Sequence, residues 1–190
     1  MNRNLMRAIT KTEIENYRRD GVVHLPNILD ADWVNRIQLA LDRVLDHPGP
    51  RGLDLNEPGA GRFAFDTFMW TRDDDFRALV FESPLAEMAA KVMESPVSHL
   101  LWDFISVKEP NTPNPTDWHQ DLSANPVKGP HCCGTWLALD EVTEESGAVH
   151  YIRGSHRWGR YFNISHKLEY YFQEGIEAGE TAWDEIGFED

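Results

Sequence analysis

The sequence predicts an α+β protein whose core is mainly β-structure. Apolar residues recur at helical spacing through roughly the first hundred residues, whereas strand-like apolar runs separated by turn residues follow from residue 97. The length of 190 residues suits one domain. Helices followed by antiparallel strands are typical of α+β folds in which the strands form a sandwich or barrel.

We expect residues 1–190 to form a single domain with three parts. Residues 1–96 are rich in predicted helices, residues 97–156 hold most of the predicted strands, and residues 157–190 form an acidic C-terminal segment. No basic residue follows Lys167, and the chain stops without a terminal strand or a capped helix. The pattern therefore predicts a β core that is incomplete at the C-terminus.

The first 60 residues predict a helix, a strand and a second helix. Thr10 is suited to cap the first helix and Gly21 to end it. Residues 22–25 suit a short strand, and Asp30 is suited to cap the second helix. The apolar residues of that second helix recur at helical spacing; they are Trp33, Val34, Ile37, Leu41, Val44 and Leu45.

A strand and two more helices follow. Residues 63–69 alternate between apolar and small or polar side chains, which predicts a strand. The acidic run 73–75 favours the start of a short helix because carboxylates stabilise a helix N-terminus. Ser83 and Pro84 predict the start of another helix, with the serine as the cap.

The second half of the chain predicts extended structure. Apolar or alternating runs separated by turn residues predict strands or extended segments at 100–107, 118–122, 133–139 and 148–153.

Charge and composition exclude several classes of protein. Lys and Arg total 18 while Asp and Glu total 32, so the net charge of −14 has the wrong sign for binding nucleic acid or anionic lipid. No apolar run approaches the ~20 residues of a membrane span, and no signal-peptide core precedes residue 10. Cys132 and Cys133 are neighbours, and a bridge between adjacent residues is strained. We therefore expect no disulfide framework, and we expect a cytoplasmic location.

The most informative segment is Thr116-Asp117-Trp118-His119-Gln120-Asp121. Residues two apart in a strand point to the same face, so His119 and Asp121 would present an imidazole and a carboxylate together while Gln120 points away. Such a pair supplies two-thirds of the facial triad that binds non-haem Fe(II). A buried histidine hydrogen-bonded to a neighbouring carboxylate is the structural alternative.

Several motifs, in this order and spacing, resemble the phytanoyl-CoA dioxygenase family of Fe(II)- and 2-oxoglutarate-dependent oxygenases. The resemblance begins near Tyr17 and continues to the end of the strand region. Its most specific parts are Val107-Lys108-Glu109-Pro110, Trp118-His119-Gln120-Asp121, Trp136-Leu137-Ala138-Leu139-Asp140, Glu145-Ser146-Gly147-Ala148 and Arg153-Gly154-Ser155-His156.

The resemblance implies a fold, a reaction and a set of site residues. It implies a double-stranded β-helix (a cupin-like jelly roll) with the N-terminal helices packed outside. It implies His119 and Asp121 as iron ligands, and Trp136 as a residue that lines the 2-oxoglutarate pocket. The implied reaction is hydroxylation of an unactivated C–H bond in a small organic substrate, with 2-oxoglutarate as cosubstrate and ascorbate as a possible reductant. In the family this Gly-Ser-His follows a strand and its histidine is not the metal ligand, so we expect His156 to be a turn residue with a structural hydrogen bond.

The chain departs from the family pattern in two places. The family's third ligand is a late histidine, and the arginine that follows it binds the distal carboxylate of 2-oxoglutarate; neither position lies within residues 1–190. His166, the last histidine, follows Asp121 too soon. We therefore expect a truncated form of a longer enzyme, weakly active or inactive alone, whose open sheet edges favour self-association.

Two alternatives remain open. His131, Cys132 and Cys133 offer imidazole and thiolate groups suited to zinc, although neighbouring side chains of a strand face opposite ways. The chain could also be a non-catalytic jelly-roll module that binds a small molecule or a partner, because fold alone does not establish catalysis. Lys108 lies near the metal motif in sequence and suits contact with an anionic substrate or solvation of a strand end.

Overall fold

A computed structural model describes residues 2–56, 59–113, 115–125, 127, 129, 131–159 and 162. This part of the chain combines four α-helices with a small antiparallel sheet. The helices are α1 (Lys11–Asp20), α2 (Ala31–Asp46), α3 (Asp74–Glu82) and α4 (Leu85–Val92). The strands are β1 (Leu53–Asp54), β2 (Phe63–Thr67) and β3 (Phe104–Lys108). Short 3₁₀ turns span Met69–Thr71, Asp121–Ala124 and Ser155–Arg157.

Three of the helices begin where the sequence predicts, because a capping side chain accepts a hydrogen bond from the first turn. The predicted Ser83 cap of the fourth helix is wrong by one residue, since α4 begins directly after Pro84, which makes no side-chain cap hydrogen bond. Thr10 accepts a hydrogen bond from the Glu13 N–H, and the Glu13 side chain binds back to the cap. The Arg7 guanidinium and the cap donors lower the pKa of Glu13 to about 2. Asp30 and Asp73 cap α2 and α3 in the same way.

The strands form one sheet in the order β1-β2-β3, with both pairings antiparallel. In this register Phe65 lies opposite Ser106, and Ile105 lies opposite Asp66. Ile105 faces the helices and is 8% exposed, whereas Phe104 on the other face is 46% exposed. The helices therefore cover one face of the sheet and leave β3 partly open on the other.

The core lies between α2, α3 and the helix-covered face of the sheet. Its buried residues are Ile37, Ala40, Val44, Met69, Phe76 and Ile105. Trp33, on the same helix as Ile37, is 1% exposed, and its Nε1–H donates to the Asn2 carbonyl at 2.7 Å. The apolar stripe of α2 is thus buried as its helical spacing predicts.

Asp103 lies just before β3 and is the most perturbed carboxyl group of this region. Its Oδ2 accepts a hydrogen bond from the Trp70 backbone N–H at 3.0 Å, while its Oδ1 is buried with no hydrogen-bond partner among the described residues. Burial raises the pKa of Asp103 to about 6, in spite of the backbone hydrogen bonds that oppose the shift. The folded protein therefore holds the proton of this side chain up to a higher pH than the unfolded chain does.

The raised pKa of Asp103 predicts a specific pH dependence of stability. A carboxyl group whose pKa is higher in the folded state than in the unfolded state stabilises the fold at low pH, and that stabilisation is lost as the pH rises from about 4 to about 6. We expect Asp103→Asn to remove this loss, so that the variant melts at a higher temperature than the wild type above pH 6. Thermal melts of both proteins between pH 4 and pH 8 measure this difference in melting temperature. Asp42→Asn, on the exposed side of α2, is the control. Parallel curves for D103N and wild type would contradict the assignment.

A turn late in the chain is docked on the end of α1. The Gly154 N–H donates to the Asp20 carbonyl at 2.7 Å, and the His156 imidazole Nε2–H donates to the Arg18 carbonyl at 3.2 Å. Gly21, the cap of α1, has a φ of +77°, and a Cβ atom placed there would lie 2.3 Å from His156 Nδ1. His156 therefore caps α1 as part of the fold, which agrees with its expected structural role.

Gly21→Ala is expected to destabilise the protein by about 2–3 kcal/mol, because left-handed backbone is unfavourable for alanine and the methyl group displaces His156 from Arg18. Denaturant unfolding measures the loss. Gly147→Ala is the matched control, since Gly147 has a φ of +92° and its Cβ would meet nothing within 4 Å. Equal losses in the two variants would mean that the His156 contact contributes nothing.

Several predicted strands are absent from the described structure. Residues 22–25, 133–139 and 148–153 are described but not assigned to strands, and the strand predicted at 100–107 is confined to Phe104–Lys108. A strand exists only through hydrogen bonds to a neighbouring strand, and apolar content alone does not supply that neighbour. The three strands show a small antiparallel sheet, and the jelly roll stays a prediction.

The acidic C-terminal segment 157–190 lies mostly outside the described residues, which end with 157–159 and Phe162. His166 also lies outside them. Among the described helices, none combines the length and apolarity that crossing a membrane requires.

Candidate metal centre

His119 and Asp121 face each other in the structure. The His119 Nε2 atom lies 3.0 Å from Asp121 Oδ1, and His119 Nδ1 lies 2.7 Å from the Asp117 carbonyl oxygen. Residue 120 is extended (φ −117°, ψ 121°), as predicted, but Asp121 begins a 3₁₀ turn instead of continuing a strand. The two side chains still meet, because one extended residue between them is enough to place both on one side.

Hydrogen bonds fix the orientation and the charge of the His119 ring. A carbonyl oxygen only accepts, so Nδ1 carries a proton toward Asp117, and Nε2–H donates to the Asp121 carboxylate. Burial disfavours the charged ring, but these two hydrogen bonds outweigh it and raise the pKa of His119. The side chain of His119 is 21% exposed, whereas that of Asp121 is 65% exposed.

The pair fits the requirements of a divalent metal ion. An octahedral ion about 2.1 Å from each of two adjacent ligands needs those ligands roughly 3.0 Å apart. The Nε2–Oδ1 distance of 3.0 Å matches this separation, and the proton on Nε2 must leave before a metal ion can bind there. Imidazole nitrogen and carboxylate oxygen are also the donor types of the non-haem iron triad, and the Nδ1–H bond to a backbone carbonyl is the usual support for a ligating histidine.

A second segment of the chain, around Gly134, lies close to Asp121. A Cβ atom at Gly134 would lie 3.3 Å from Asp121 Oδ2, so the glycine backbone lies directly against the carboxylate. The negative charge of Asp121 also contributes, after burial, to raising the pKa values of Cys132 and Tyr151. Gly134 therefore lies against Asp121, and Cys132 and Tyr151 lie within electrostatic range of it.

Cys132 lies near enough to Asp121, and both thiols lie near enough to Tyr17 of α1, to interact electrostatically. Burial raises the pKa of both Cys132 and Cys133, and burial together with the two cysteines raises the pKa of Tyr17 to about 12. The Asn125 amide lies 4.0 Å from Cys132 Sγ. These groups are neutral at pH 7.

Lys108, at the end of β3, brings positive charge near Asp117. Burial lowers the pKa of Lys108 while the nearby Asp117 carboxylate opposes the shift. Its ammonium group also lies 4.7 Å from the centre of the Phe63 ring. Lys108 therefore lies within electrostatic range of Asp117, whose backbone carbonyl holds His119.

Trp136 lies two residues beyond Gly134 and is 50% exposed, so it is not a buried core aromatic. Its predicted place in a 2-oxoglutarate pocket stays a prediction. His131 is exposed. Within the described part of the chain, no three His, Cys, Asp or Glu side chains come together as a metal site. The described residues therefore contain neither a three-residue zinc site at His131, Cys132 and Cys133 nor a third protein ligand for His119 and Asp121.

The sequence does not reveal every residue at this site. Four further residues come close to Asp121 or Cys132: Tyr17 and Tyr151 from distant parts of the chain, Gly134 from the segment after Cys133, and Asn125 from the turn that follows Asp121. No local pattern marks them. The only available signal is the glycine directly after Cys132-Cys133, since glycine within an apolar run often marks a close approach.

Comparison with known proteins shows the family of the chain. The model of the family described as "Phytanoyl-CoA dioxygenase (PhyH)" matches residues 17–183. A Caenorhabditis briggsae protein, "Phytanoyl-CoA dioxygenase domain-containing protein 1 homolog", is 22% identical over 188 residues, covering 75% of this chain and 64% of that protein. This chain thus spans less than two-thirds of that relative.

A solved structure is also similar in part. It is the crystal structure of the non-heme alpha ketoglutarate dependent epimerase SnoN from nogalamycin biosynthesis, with 29% identity, a TM-score of 0.39, and coverage of 45% of this chain and 33% of that one. The family match spans most of the chain and includes every motif quoted above from residue 107 to residue 156. The chain belongs to the phytanoyl-CoA dioxygenase family.

Proposed function

We propose that this chain carries part of the catalytic centre of a non-haem Fe(II)- and 2-oxoglutarate-dependent oxygenase with a jelly-roll core. The reaction is the hydroxylation of an unactivated C–H bond in a small organic substrate. The observation that carries the proposal is the His119–Asp121 pair, whose donor atoms lie 3.0 Å apart with the imidazole fixed by a backbone carbonyl. Membership of the phytanoyl-CoA dioxygenase family supports it.

His119 Nε2 and an oxygen of Asp121 would hold the ferrous ion. Bound together, Fe(II), 2-oxoglutarate and dioxygen supply the oxidation, in which 2-oxoglutarate becomes succinate and carbon dioxide. Ascorbate would keep the iron reduced. The third ligand and the arginine for the distal carboxylate of 2-oxoglutarate would come from outside the described residues.

The protein's own groups prepare the site for this chemistry. The Asp117 carbonyl holds the proton of His119 on Nδ1, so Nε2 faces Asp121. Gly134 leaves room beside the Asp121 carboxylate, because any larger residue would crowd Oδ2. Lys108 supplies a cation near Asp117 that suits an anionic substrate.

The test is anaerobic addition of Fe(II) and 2-oxoglutarate to the chain. We expect a visible charge-transfer absorption that needs both components, because it arises only when 2-oxoglutarate chelates protein-bound iron. Admission of oxygen with ascorbate then shows whether succinate forms. Failure of Fe(II) to bind would overturn the proposal.

The alternative is a non-catalytic module that binds a small molecule or a partner. It is favoured by the lack of a three-ligand group among the described residues. Binding of 2-oxoglutarate without any requirement for metal would support this alternative over the oxygenase.

A further inference from the structure

Gln120 lies between the two candidate ligands, and its side chain points away from them into the protein. Its Nε2–H donates to the Ser155 carbonyl at 3.0 Å. Its Oε1 accepts a hydrogen bond from the Phe162 N–H at 3.3 Å. Both polar atoms of the amide are therefore bonded to backbone, and the neighbouring His119 and Asp121 side chains are directed to the opposite side.

The backbone of Gln120 is bonded as well. Its N–H donates to the Phe162 carbonyl at 3.0 Å, and its carbonyl accepts from the Ser123 N–H at 2.9 Å and the Ser123 hydroxyl at 2.7 Å. Residues 115–120 belong to none of the described strands. The hydrogen bonds of Gln120 therefore hold in place a segment that is not paired with any described strand.

Both partners of Gln120 are themselves held firmly. Phe162 is fully buried, and its ring meets the Trp158 ring edge-on with centroids 5.8 Å apart. Ser155 belongs to the turn that is docked on the end of α1 through Gly154 and His156. Gln120 therefore connects the candidate metal pair to α1, a helix more than 100 residues earlier in the chain.

We propose that Gln120 is a positioning residue for the metal site, an inference that rests on the proposed function of His119 and Asp121. Gln120 touches neither the metal nor a substrate. It holds the backbone between the two ligands so that their donor atoms stay 3.0 Å apart before a metal arrives. Groups that orient metal ligands in this way typically change metal affinity by about 10–100-fold when they are removed.

The experiment compares Mn(II) binding by the wild-type chain and by two variants. Gln120→Met keeps the length of the side chain but loses both amide hydrogen bonds, and Gln120→Glu keeps an acceptor for the Phe162 N–H while losing the donor to Ser155. We expect Mn(II) affinity to fall at least tenfold in Q120M and less in Q120E. Mn(II)-induced broadening of the His119 ring resonances locates the bound ion in each protein.

A matched control separates positioning from general stability. Gln38, on α2, donates the same kind of bond, from Nε2 to the Leu139 carbonyl at 2.5 Å. Gln38→Met should lower the melting temperature without changing Mn(II) affinity.

The metal-free spectra provide a second measurement. Loss of positioning should change the ¹⁵N shifts of the His119 ring in Q120M and not in Q38M. Wild-type affinity and unchanged ring shifts in a folded Q120M or Q120E would overturn the inference while leaving the proposed function intact. Lack of Mn(II) broadening at His119 in the wild type would overturn both.

Discussion

Asp121→Ala is expected to weaken Fe(II) binding by two orders of magnitude or more and to abolish the charge-transfer absorption with 2-oxoglutarate. Asp121 supplies the only carboxylate within hydrogen-bonding distance of the His119 imidazole among the described contacts. Its loss leaves His119 as a single neutral donor, which holds a ferrous ion poorly. Isothermal titration with Fe(II) under anaerobic conditions, followed by addition of 2-oxoglutarate, measures both effects.

The chain contains a control of the same chemistry. His150 Nε2 lies 3.1 Å from Glu144 Oε2, so these two residues form a second histidine–carboxylate pair. Their side chains are 58% and 75% exposed, and no backbone carbonyl orients the His150 ring among the described hydrogen bonds. Glu144→Ala should leave Fe(II) binding unchanged. An equal loss in E144A and D121A would show that the metal does not select the His119 pair.

Arg72→Met is expected to destabilise the protein by about 3 kcal/mol. The Arg72 guanidinium forms an ion pair with Asp66, whose side chain is only 3% exposed in the middle of β2. Removal of the arginine leaves a buried carboxylate with only the backbone N–H groups of Gly49 and Thr67, at 2.8 and 2.7 Å. An uncompensated buried charge is among the most costly defects in a fold. Urea unfolding at pH 7 measures the change.

Two further variants identify the cause of that loss. The double variant Asp66→Asn with Arg72→Met removes the charge and keeps an acceptor for the Gly49 N–H, so it should recover most of the stability. Arg3→Met breaks an exposed pair with Glu82, whose side chains are 71% and 46% exposed, and should cost less than about 1 kcal/mol. If R72M costs no more than R3M, the buried charge is not what stabilises this part of the fold.

The helices of this protein could be predicted because their signals are local. Thr10 with Glu13, Asp30 and Asp73 each cap a helix through hydrogen bonds to residues two or three positions away. The strands could be predicted less well, because pairing joins distant residues. Leu53–Asp54 was not expected as a strand and forms one by pairing with β2, whereas residues 133–139 were expected as one and have no assigned pairing.

In the candidate site, too, the local contacts could be predicted from the sequence and the long-range contacts could not. The approach of His119 to Asp121 follows from a spacing of two residues and could be predicted without a structure, although their role as ligands stays a prediction. Two other features could not be predicted from the sequence. They are the contact of Gly134 with Asp121 and the hydrogen bonds of Gln120 to Ser155 and Phe162. They depend on which distant segments the fold brings together, and no periodicity encodes that.

The docking of the late turn on α1 has a consequence for synthesis of the chain. The His156–Arg18 hydrogen bond spans 138 residues, so α1 leaves the ribosome long before its partner exists. At typical translation speeds that interval is on the order of 10 s. During that time Gly21 has no imidazole beside it, and the backbone around residue 120 lacks its support. In a nascent chain stalled before residue 150, the His119–Asp121 pair should therefore lack the support that Ser155 and Phe162 give to residue 120.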